Sequence, residues 1–389
     1  MSSPSGIVLG IDLGTTFSTA AALVDGKLHF ALDGRGEACI PSVVHFPKAG
    51  PPIVGAEADR LRASDPQYTV FGIKRIIGHA ADSPGARLLD ACAGFRIRAQ
   101  GPQGAGEAAV EVRGRLWPAS EVAALLLRHL RERAEARFGR QIGGAVLTVP
   151  VTATPEVKDA MRRCGRAAGL EVLRVVSEPC AGAVSRGFAG PGWGDAPVLV
   201  FDFGGGTFDA TVVRKEDGRL KVLSSGGDDC LGGEDFDVAF ARWIASGIWR
   251  TRNVEVERDV ILRSRIQRQC EQVKRLLSSS PEARYVLKDA FSGREPHLDV
   301  LIHREHLRPH WAELVQRAVA CAAATVRDAG LGPGDLGAML LIGGTTFVPQ
   351  VRAAAAAAFP RPCLAEDDPQ TAVARGAALL GARPELLVD

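Results

Sequence analysis

The sequence predicts an α/β fold made of two similar lobes that share one ligand cleft. A strand, a glycine turn and a second strand are predicted at residues 7–17 and again at residues 198–209. The apolar segments 145–150 and 338–344 each precede a helix-start signal, in the same order within each half. This repetition indicates duplication. A ligand between such lobes would meet a glycine turn from each side.

The composition is that of a folded globular chain. Of its 389 residues, 46% are apolar and 24% are charged, which excludes wholesale disorder. The 47 basic and 45 acidic residues leave a net charge of +2, so no chain-wide field favours a polyanion or an anionic membrane. The eight cysteines lie far apart without a C-x-x-C pair. We therefore expect reduced thiols, a cytoplasmic protein, and neither a nucleic-acid nor a membrane partner.

Helix signals stand between the predicted strands. Thr154 is a suitable N-cap, Pro155 suits the first helical position, and Gly169 suits the end of that helix. Ser120 is expected to cap a second helix that ends at Gly139.

Further segments follow the same rules. Residues 259–277 carry apolar side chains at helical spacing, and a later helix is expected to begin near Pro349. Segments 95–115 and 281–303 are strand-like. The Gly- and Pro-rich residues 187–197 are predicted to connect the two lobes.

The two glycine turns are candidate phosphate-binding loops. Gly14, Thr15 and Thr16 would expose backbone N–H groups, a geometry that binds phosphate oxygens, and residues 204–207 (GGGT) repeat it. Neither turn is a P-loop, because no Gly-Lys-Ser/Thr follows, and neither opens a helix as a dinucleotide fingerprint does.

Asp12 and Asp202 each follow an apolar strand immediately before these turns. A buried carboxylate there is costly unless it is paired or faces a cation. Mg²⁺ held through waters by both carboxylates would meet that need. The alternative is that each aspartate only caps its own turn.

Eight stretches together resemble the nucleotide-binding domain of the 70-kDa heat-shock chaperones, in the actin and sugar-kinase superfamily. They keep the family's order and near-family spacing over nearly the whole chain. The stretches are 10–16 (GIDLGTT), 74–78 (KRIIG), 149–150 (VP), 177–179 (SEP), 201–209 (FDFGGGTFD), 231–237 (LGGEDFD), 271–278 (EQVKRLLS) and 342–346 (IGGTT). The ordered set is specific, whereas no single member would be.

The resemblance implies a two-lobed actin-like ATPase fold, with duplicated ribonuclease H-like β-sheet cores around a central nucleotide cleft. Residues 1–188 would form lobe I, with a small subdomain inserted at about 42–118. Residues 189–384 would form lobe II, with an insert at about 232–310, and about 366–384 would return to lobe I. Residues 385–389 resemble the start of an apolar interdomain linker, and the peptide-binding domain that follows it in the family is absent from the sequence.

The resemblance also implies roles in the cleft. Asp12 and Asp202 would hold Mg²⁺ through waters. Lys74 would place a positive charge by the γ-phosphate and orient the attacking water, as phosphoryl transfer requires. Glu178 and Asp209 would position the water and the metal shell. The implied catalytic set is Lys74, Glu178, Asp202, Asp209 and Thr207.

The implied nucleotide contacts come from both lobes. They are Gly14, Thr15, Thr16, Gly204, Gly205, Gly206, Thr207, Glu271, Lys274, Arg275, Ser278, Gly343, Gly344, Thr345 and Phe347. The implied cofactors are ATP or ADP and Mg²⁺, with K⁺ as a further candidate. From spacing alone, Lys74 would be a solvated lysine. The i, i+3, i+7 set of Glu271, Lys274 and Ser278 would be an exposed polar stripe on a helix.

Two departures from the family concern nucleotide affinity and exchange. Phe347 stands where the family has an arginine that stacks on the adenine, and Gln370 replaces an acid of the family's Asn-Pro-Asp-Glu motif. An aromatic ring can stack but supplies no charge. Ser177 and Cys180 also replace the family's Asn and Thr, while Arg174 is kept, at positions that face co-chaperones and the linker.

The function expected from the resemblance is that of a Mg-dependent ATPase domain of a stress-response chaperone, whose lobe closure controls protein-substrate binding. A J-domain co-chaperone, a nucleotide-exchange factor and a peptide-binding domain are the implied partners. Two alternatives stay open. A small-molecule kinase of the same superfamily would need an acceptor base and a sugar pocket. A nucleotide-dependent scaffold, filament-forming like actin, would bind ATP with little hydrolysis.

Overall fold

The computed structural model describes residues 6–100, 106–188, 194–288, 290–291, 297–365, 368–383 and 385–388. The strands in these ranges are β1 Ile7–Leu13, β2 Phe17–Val24, β3 Lys27–Phe30, β4 Ile40–Pro41, β5 Val44–His45, β6 Ile53–Val54, β7 Thr69–Val70, β8 Arg96–Ala99, β9 Ala108–Val112, β10 Arg115–Pro118, β11 Ile142–Val149, β12 Val172–Ser177, β13 Val198–Phe203, β14 Phe208–Glu216, β15 Arg219–Asp228, β16 Glu282–Leu287, β17 Leu298–His303, β18 Ala338–Ile342, β19 Cys363–Ala365 and β20 Leu387–Val388. The helices are α1 Ala56–Leu61, α2 Pro84–Cys92, α3 Ala119–Phe138, α4 Pro155–Ala167, α5 Glu178–Ser185, α6 Gly233–Arg252, α7 Val260–Ser279, α8 Arg304–Asp328, α9 Pro349–Ala358 and α10 Ala372–Ala382.

Two sheets of matching topology form the framework. The first has the strand order β12-β11-β1-β2-β3, and the second has the order β19-β18-β13-β14-β15-β20. In each sheet three consecutive strands form an antiparallel meander, and two later strands continue the sheet in parallel. The predicted duplication is therefore confirmed, because both halves repeat the same order and orientation of strands.

The predicted glycine turns lie at equivalent places in the two sheets. One joins β1 to β2 and the other joins β13 to β14. Asp12 and Asp202 both lie one residue before the end of their strand. In the second sheet Asp202 pairs with Ile342 of parallel β18, so the turn beginning at Gly343 reaches the same edge. The topology thus gathers distant motifs at one end of both sheets.

Helices α5 and α10 join the two sheets. A hydrophobic cluster contains residues of both sheets together with residues of both helices. Small residues allow the close packing, since a Cβ added at Gly376 of α10 would lie 1.7 Å from the Ala181 carbonyl oxygen of α5. A Cβ added at Gly10 of β1 would lie 2.0 Å from the Ala378 nitrogen. The last helix therefore packs on the first strand of the chain.

Smaller elements are inserted into each half. Strands β5 to β7 form one small sheet and β8 to β10 another in the first half. In the second half α6 and α7 pack on each other, and α7 packs on the β16–β17 hairpin. The numerical lobe and insert boundaries given above stay predictions.

Most local signals are confirmed. Thr154 accepts a hydrogen bond from the Val157 nitrogen at 3.4 Å as the N-cap of α4. The buried side chains of α7 include the predicted apolar face at Ile266, Cys270, Val273 and Leu277. The predicted lobe connection at 187–197 lies partly outside the described residues. Among the described helices, none combines the length and apolar character that a membrane span requires.

One capping prediction is wrong. Helix α3 begins at Ala119, one residue before Ser120, and its N-cap is Pro118. The Glu107 carboxylate instead accepts from the Ser120 nitrogen at 3.1 Å and from its hydroxyl at 3.0 Å. A tertiary carboxylate thus replaces the local cap that the sequence indicated.

Candidate active site

A cavity of about 350 Å³ opens between the lobes at the ends of β1 and β13. This volume lies in the range typical of small-molecule sites. With one exception, Asp209, the predicted site residues line it. They are Asp12, Gly14, Thr15, Thr16, Lys74, Glu178, Asp202, Gly204, Gly205, Gly206, Thr207, Glu271, Lys274, Arg275, Ser278, Gly343, Gly344, Thr345 and Phe347.

The two glycine turns contact each other directly at one end of the cleft. A Cβ added at Gly205 would lie 2.0 Å from the Thr16 hydroxyl oxygen. A Cβ added at Gly206 would lie 2.6 Å from the Thr15 methyl carbon. Glycine at these positions therefore permits a close approach of backbone to side chain that any larger residue would block.

Lys74 and Glu178 form a buried ion pair beside these turns. Lys74 lies in a short 3-10 turn, Ile73–Ile76, and Glu178 is the first residue of α5. The lysine Nζ donates to Glu178 Oε1 at 2.6 Å, and the two side chains are only 14% and 8% exposed. Burial alone would lower the pKa of Lys74, but the Glu178 and Asp12 carboxylates raise it above its ordinary value. The lysine is therefore charged at neutral pH.

Three aspartates near this pair have an ionised form that burial and neighbouring carboxylates disfavour. Burial raises the pKa of Asp12 and of Asp209 to about 7, and nearby Glu178 adds to both shifts. Burial, Glu178 and Asp209 raise the pKa of Asp202 well above its ordinary value. Asp209 does not line the cleft; its carboxylate lies against Gly227, where an added Cβ would be 2.9 Å away.

This arrangement fits a hydrated divalent cation. Ionised Asp12 and Asp202 would be relieved by positive charge in the cleft. In the part of the chain that the structure describes, no group of three or more His, Cys, Asp or Glu side chains could hold a metal by itself. Mg²⁺ commonly keeps several waters and shares one or two carboxylates with substrate phosphates. The donor set suits that mode of binding.

Helix α7 also lines the cleft. Glu271, Lys274 and Ser278 all reach the cavity, as their spacing on one helix face predicts. The Arg275 guanidinium lies 5.1 Å from the centre of the Phe17 ring, which belongs to the other lobe. Phe17 had no predicted role, although it directly follows the first glycine turn.

Lys274 is held by Asp237, a partner that no sequence pattern indicated. Its Nζ donates to Asp237 Oδ2 at 2.8 Å and to the Gly233 carbonyl oxygen at 2.6 Å. Burial raises the pKa of Asp237 to about 7, even though Lys274 lowers it. The only available signal was the position of Asp237 at the end of the 231–237 stretch.

Two of the residues that depart from the family pattern, Phe347 and Gln370, both line the cleft. Phe347 lines the cleft, and the Arg352 guanidinium lies 5.5 Å from its ring centre. Arg352 Nε also donates to the Thr346 carbonyl oxygen at 2.6 Å. The Gln370 amide packs against Gly344, where an added Cβ would be 2.5 Å from Nε2. An arginine is thus present behind Phe347, although it comes from α9.

The C-terminal segment contacts both halves. Strand β20 adds to the edge of β15 in parallel. Arg174 of β12 donates from Nη1 to the Leu386 carbonyl oxygen at 3.3 Å. The retained arginine therefore touches the segment that resembles a linker.

Comparison with known protein families identifies one relationship. The family model described as Hsp70 protein matches residues 8–383. The match covers both glycine turns, Lys74 with Glu178, helix α7 and helix α10. Its extent agrees with the ordered set of stretches found along the sequence.

Proposed function

The chain belongs to the Hsp70 family, and on that premise we propose that it binds Mg·ATP and hydrolyses it to ADP and phosphate. Its fold is the two-lobed, actin-like ATPase fold of that family. The observation that carries the proposal is the buried Lys74–Glu178 pair, which lines one cavity with Asp12, Asp202 and both glycine turns.

The residues divide the chemistry between them. Backbone N–H groups of the two turns bind the phosphates, and Lys74 supplies a fixed positive charge where negative charge develops. Glu178 holds that lysine in place and orients the attacking water. Asp209 does not line the cavity, but its negative charge makes the electrostatic potential around Asp202 more negative.

Asp12 and Asp202 would hold Mg²⁺ through waters, and the ion would neutralise charge on the phosphates. Their raised pKa values support this assignment, because the charge of Lys74 does not fully offset the burial of these carboxylates. K⁺ stays a prediction.

At the base end, the nucleotide would lie between helix α7 and the turn Gly344–Phe347. Glu271 and Ser278 are polar groups available to the nucleoside, and Phe347 offers a ring for stacking. Lys274 contributes less net charge than the sequence suggests, since Asp237 neutralises it.

In the cell this ATPase cycle would control protein-substrate binding through lobe closure. The contacts of Arg174 and β15 with residues 386–388 support a route from the cleft to an attached peptide-binding domain. A J-domain co-chaperone and a nucleotide-exchange factor are the proposed partners, and the cytoplasm is the proposed compartment.

Phosphate release from Mg·ATP by the wild type and by Lys74→Ala tests the proposal. We expect wild-type turnover and a loss of about 100-fold in the variant, the typical cost of removing one transition-state charge contact. Protection of both proteins by Mg·ADP against heat shows that each is folded and binds nucleotide. Equal, measurable rates would refute the role of the lysine.

The same assay separates the alternatives. Phosphate transfer to an added acceptor would favour a small-molecule kinase. Tight ATP binding without phosphate release, together with concentration-dependent assembly, would favour a scaffold.

A further inference from the structure

Arg75 reaches from one lobe into the other. It follows Lys74 in the same short turn, yet its acceptors lie in the second half of the chain. Nη1 donates to the Asp229 carbonyl oxygen at 2.6 Å, and Nη2 donates to the Gly206 carbonyl oxygen at 2.7 Å. The side chain is only 6% exposed. Lys74 and Arg75 are thus neighbours with different tasks: one pairs with Glu178 and the other bridges the cleft.

Glu234 completes the bridge. Its Oε2 lies 3.3 Å from Arg75 Nη2, and its Oε1 accepts from the Thr16 hydroxyl at 3.0 Å. Glu234 belongs to the first turn of α6, and its backbone nitrogen donates to the Gly205 carbonyl oxygen at 2.8 Å. The backbone of Glu234 is therefore hydrogen-bonded to the second glycine turn, and its carboxylate binds Thr16 of the first.

We propose that Arg75, Glu234 and Thr16 form a clasp across the phosphate end of the cleft that slows nucleotide release. This inference rests on the nucleotide binding proposed above. Phosphates lying between the two turns cannot leave by this end until the lobes separate. Separation breaks the bonds that Arg75 and Thr16 make to the second half of the chain.

The chemistry of the clasp suits a closure device. A planar guanidinium can donate to several acceptors in fixed directions, which a lysine ammonium cannot reproduce. Hydrogen bonds between ionised groups are stronger than neutral ones, and partial burial protects them from salt. At 23% exposure Glu234 is still reachable by water, so the clasp can open.

Another inter-lobe contact lies outside the clasp. Arg268 Nη2 lies 3.0 Å from Asp59 Oδ2 and joins the two inserted regions. Variants of Arg75 and Glu234 leave this contact intact, so they test the phosphate-end clasp separately.

The first test is the rate at which a fluorescent ADP analogue leaves the protein when chased with excess ADP. We expect Glu234→Ala and Arg75→Ala each to release it about tenfold faster, with association rates changed less than about twofold. The double variant should be no faster than the faster single variant, because both remove one clasp. Arg75→Lys should also be faster than wild type, which a purely charge-based effect would not produce.

Each matched control breaks an arginine–carboxylate pair whose two partners lie in the same half of the chain. Arg317→Ala removes an arginine whose Nη2 lies 2.6 Å from Asp228, and Glu121→Ala removes the partner of Arg115 at 3.1 Å. Both should release the analogue at the wild-type rate.

Hydrogen exchange of the nucleotide-free protein gives an independent readout. Peptides covering residues 14–17 and 204–207 should exchange faster in Glu234→Ala than in wild type. In Glu121→Ala the same peptides should exchange at the wild-type rate. If wild type fails to bind the analogue, the proposed function fails, and exchange still decides the clasp. Unchanged exchange in Glu234→Ala would overturn the clasp, as would unchanged release from a wild type that binds.

Discussion

Lys74 Nζ donates to Glu178 Oε1 at 2.6 Å, although 104 positions separate the two residues in the chain. The pair is buried, and the Asp12 and Asp202 carboxylates lie near enough to raise the pKa of Lys74 further. One cation therefore compensates several carboxylates, so Lys74 stabilises the folded cleft in addition to its proposed role in the chemistry.

Removing that cation should destabilise the nucleotide-free protein. We expect Lys74→Ala to lower the free energy of unfolding by about 3 kcal/mol, because it leaves buried carboxylates without a partner. Adding Glu178→Gln should restore part of the loss. Urea denaturation measures both, with Lys48→Ala, an exposed lysine, as the control that stays within about 0.5 kcal/mol. Equal stability of Lys74→Ala and wild type would contradict this.

Asp209 should make stability depend on pH. Its pKa is raised by burial from 3.8 to about 7, so between these values the folded protein keeps a proton that the unfolded chain has lost. Stability therefore falls as the pH rises through this window. Asp209→Asn removes the effect and should be more stable than wild type at pH 8, by at most about 4 kcal/mol.

Urea denaturation at pH 5 and at pH 8 checks this sign. The advantage of Asp209→Asn should be clearly smaller at pH 5, and Asp328→Asn, at an exposed position, is the control for the same substitution on the surface. An advantage that is equal at both pH values would mean that proton binding by Asp209 is not its source. Phosphate release by Asp209→Asn should fall nonetheless, as is common where a functional site is strained.

Phe347 should contribute to ADP affinity by stacking. Phe347→Ala is expected to weaken binding about fivefold to tenfold, from the loss of ring contact. Phe347→Arg would restore the family's residue but would place its guanidinium near that of Arg352. We therefore expect Phe347→Arg to bind more tightly when combined with Arg352→Ala than alone.

Calorimetric titration with ADP measures these affinities. Arg361→Ala, an arginine on the exposed surface whose Nε contacts only the Pro333 carbonyl oxygen among the bonds described, is the control for Arg352→Ala. If Phe347→Ala binds ADP as wild type does, the base does not stack on this ring.

Replacing two helical glycines by alanine should change the stability of the protein in opposite directions. A Cβ at Gly376 in α10 would lie 1.7 Å from the Ala181 carbonyl oxygen, so Gly376→Ala should cost at least about 2 kcal/mol by overpacking. Gly247 in α6 has no atom within 4 Å of such a Cβ. Gly247→Ala should therefore stabilise by about 0.5 to 1 kcal/mol. Thermal unfolding of the two variants compares them, and a shift of the same sign in both would argue against the tight α5–α10 contact.

Local patterns predicted much of the fold. The strand–glycine–strand units, the cap at Thr154 and the apolar face of α7 depend on residues close in sequence, and all three are present. The ordered stretches also contain most of the residues that line the cleft, although Phe17 and Val373 lie outside them. Ser120 failed as a cap because Glu107, thirteen residues earlier, binds it instead.

The sequence by itself determined the duplicated sheets and the glycine turns, because periodicity and turn chemistry act over short distances. The charged residues expected in the cleft came from its resemblance to a known family. Only the tertiary structure decided which charges pair: Lys274 with Asp237, Lys74 with Glu178, and Arg75 with Glu234. It also left Asp209 out of the residues that line the cavity. Long charged side chains reach many neighbours, so their partners depend on how the packed lobes bring distant backbone together.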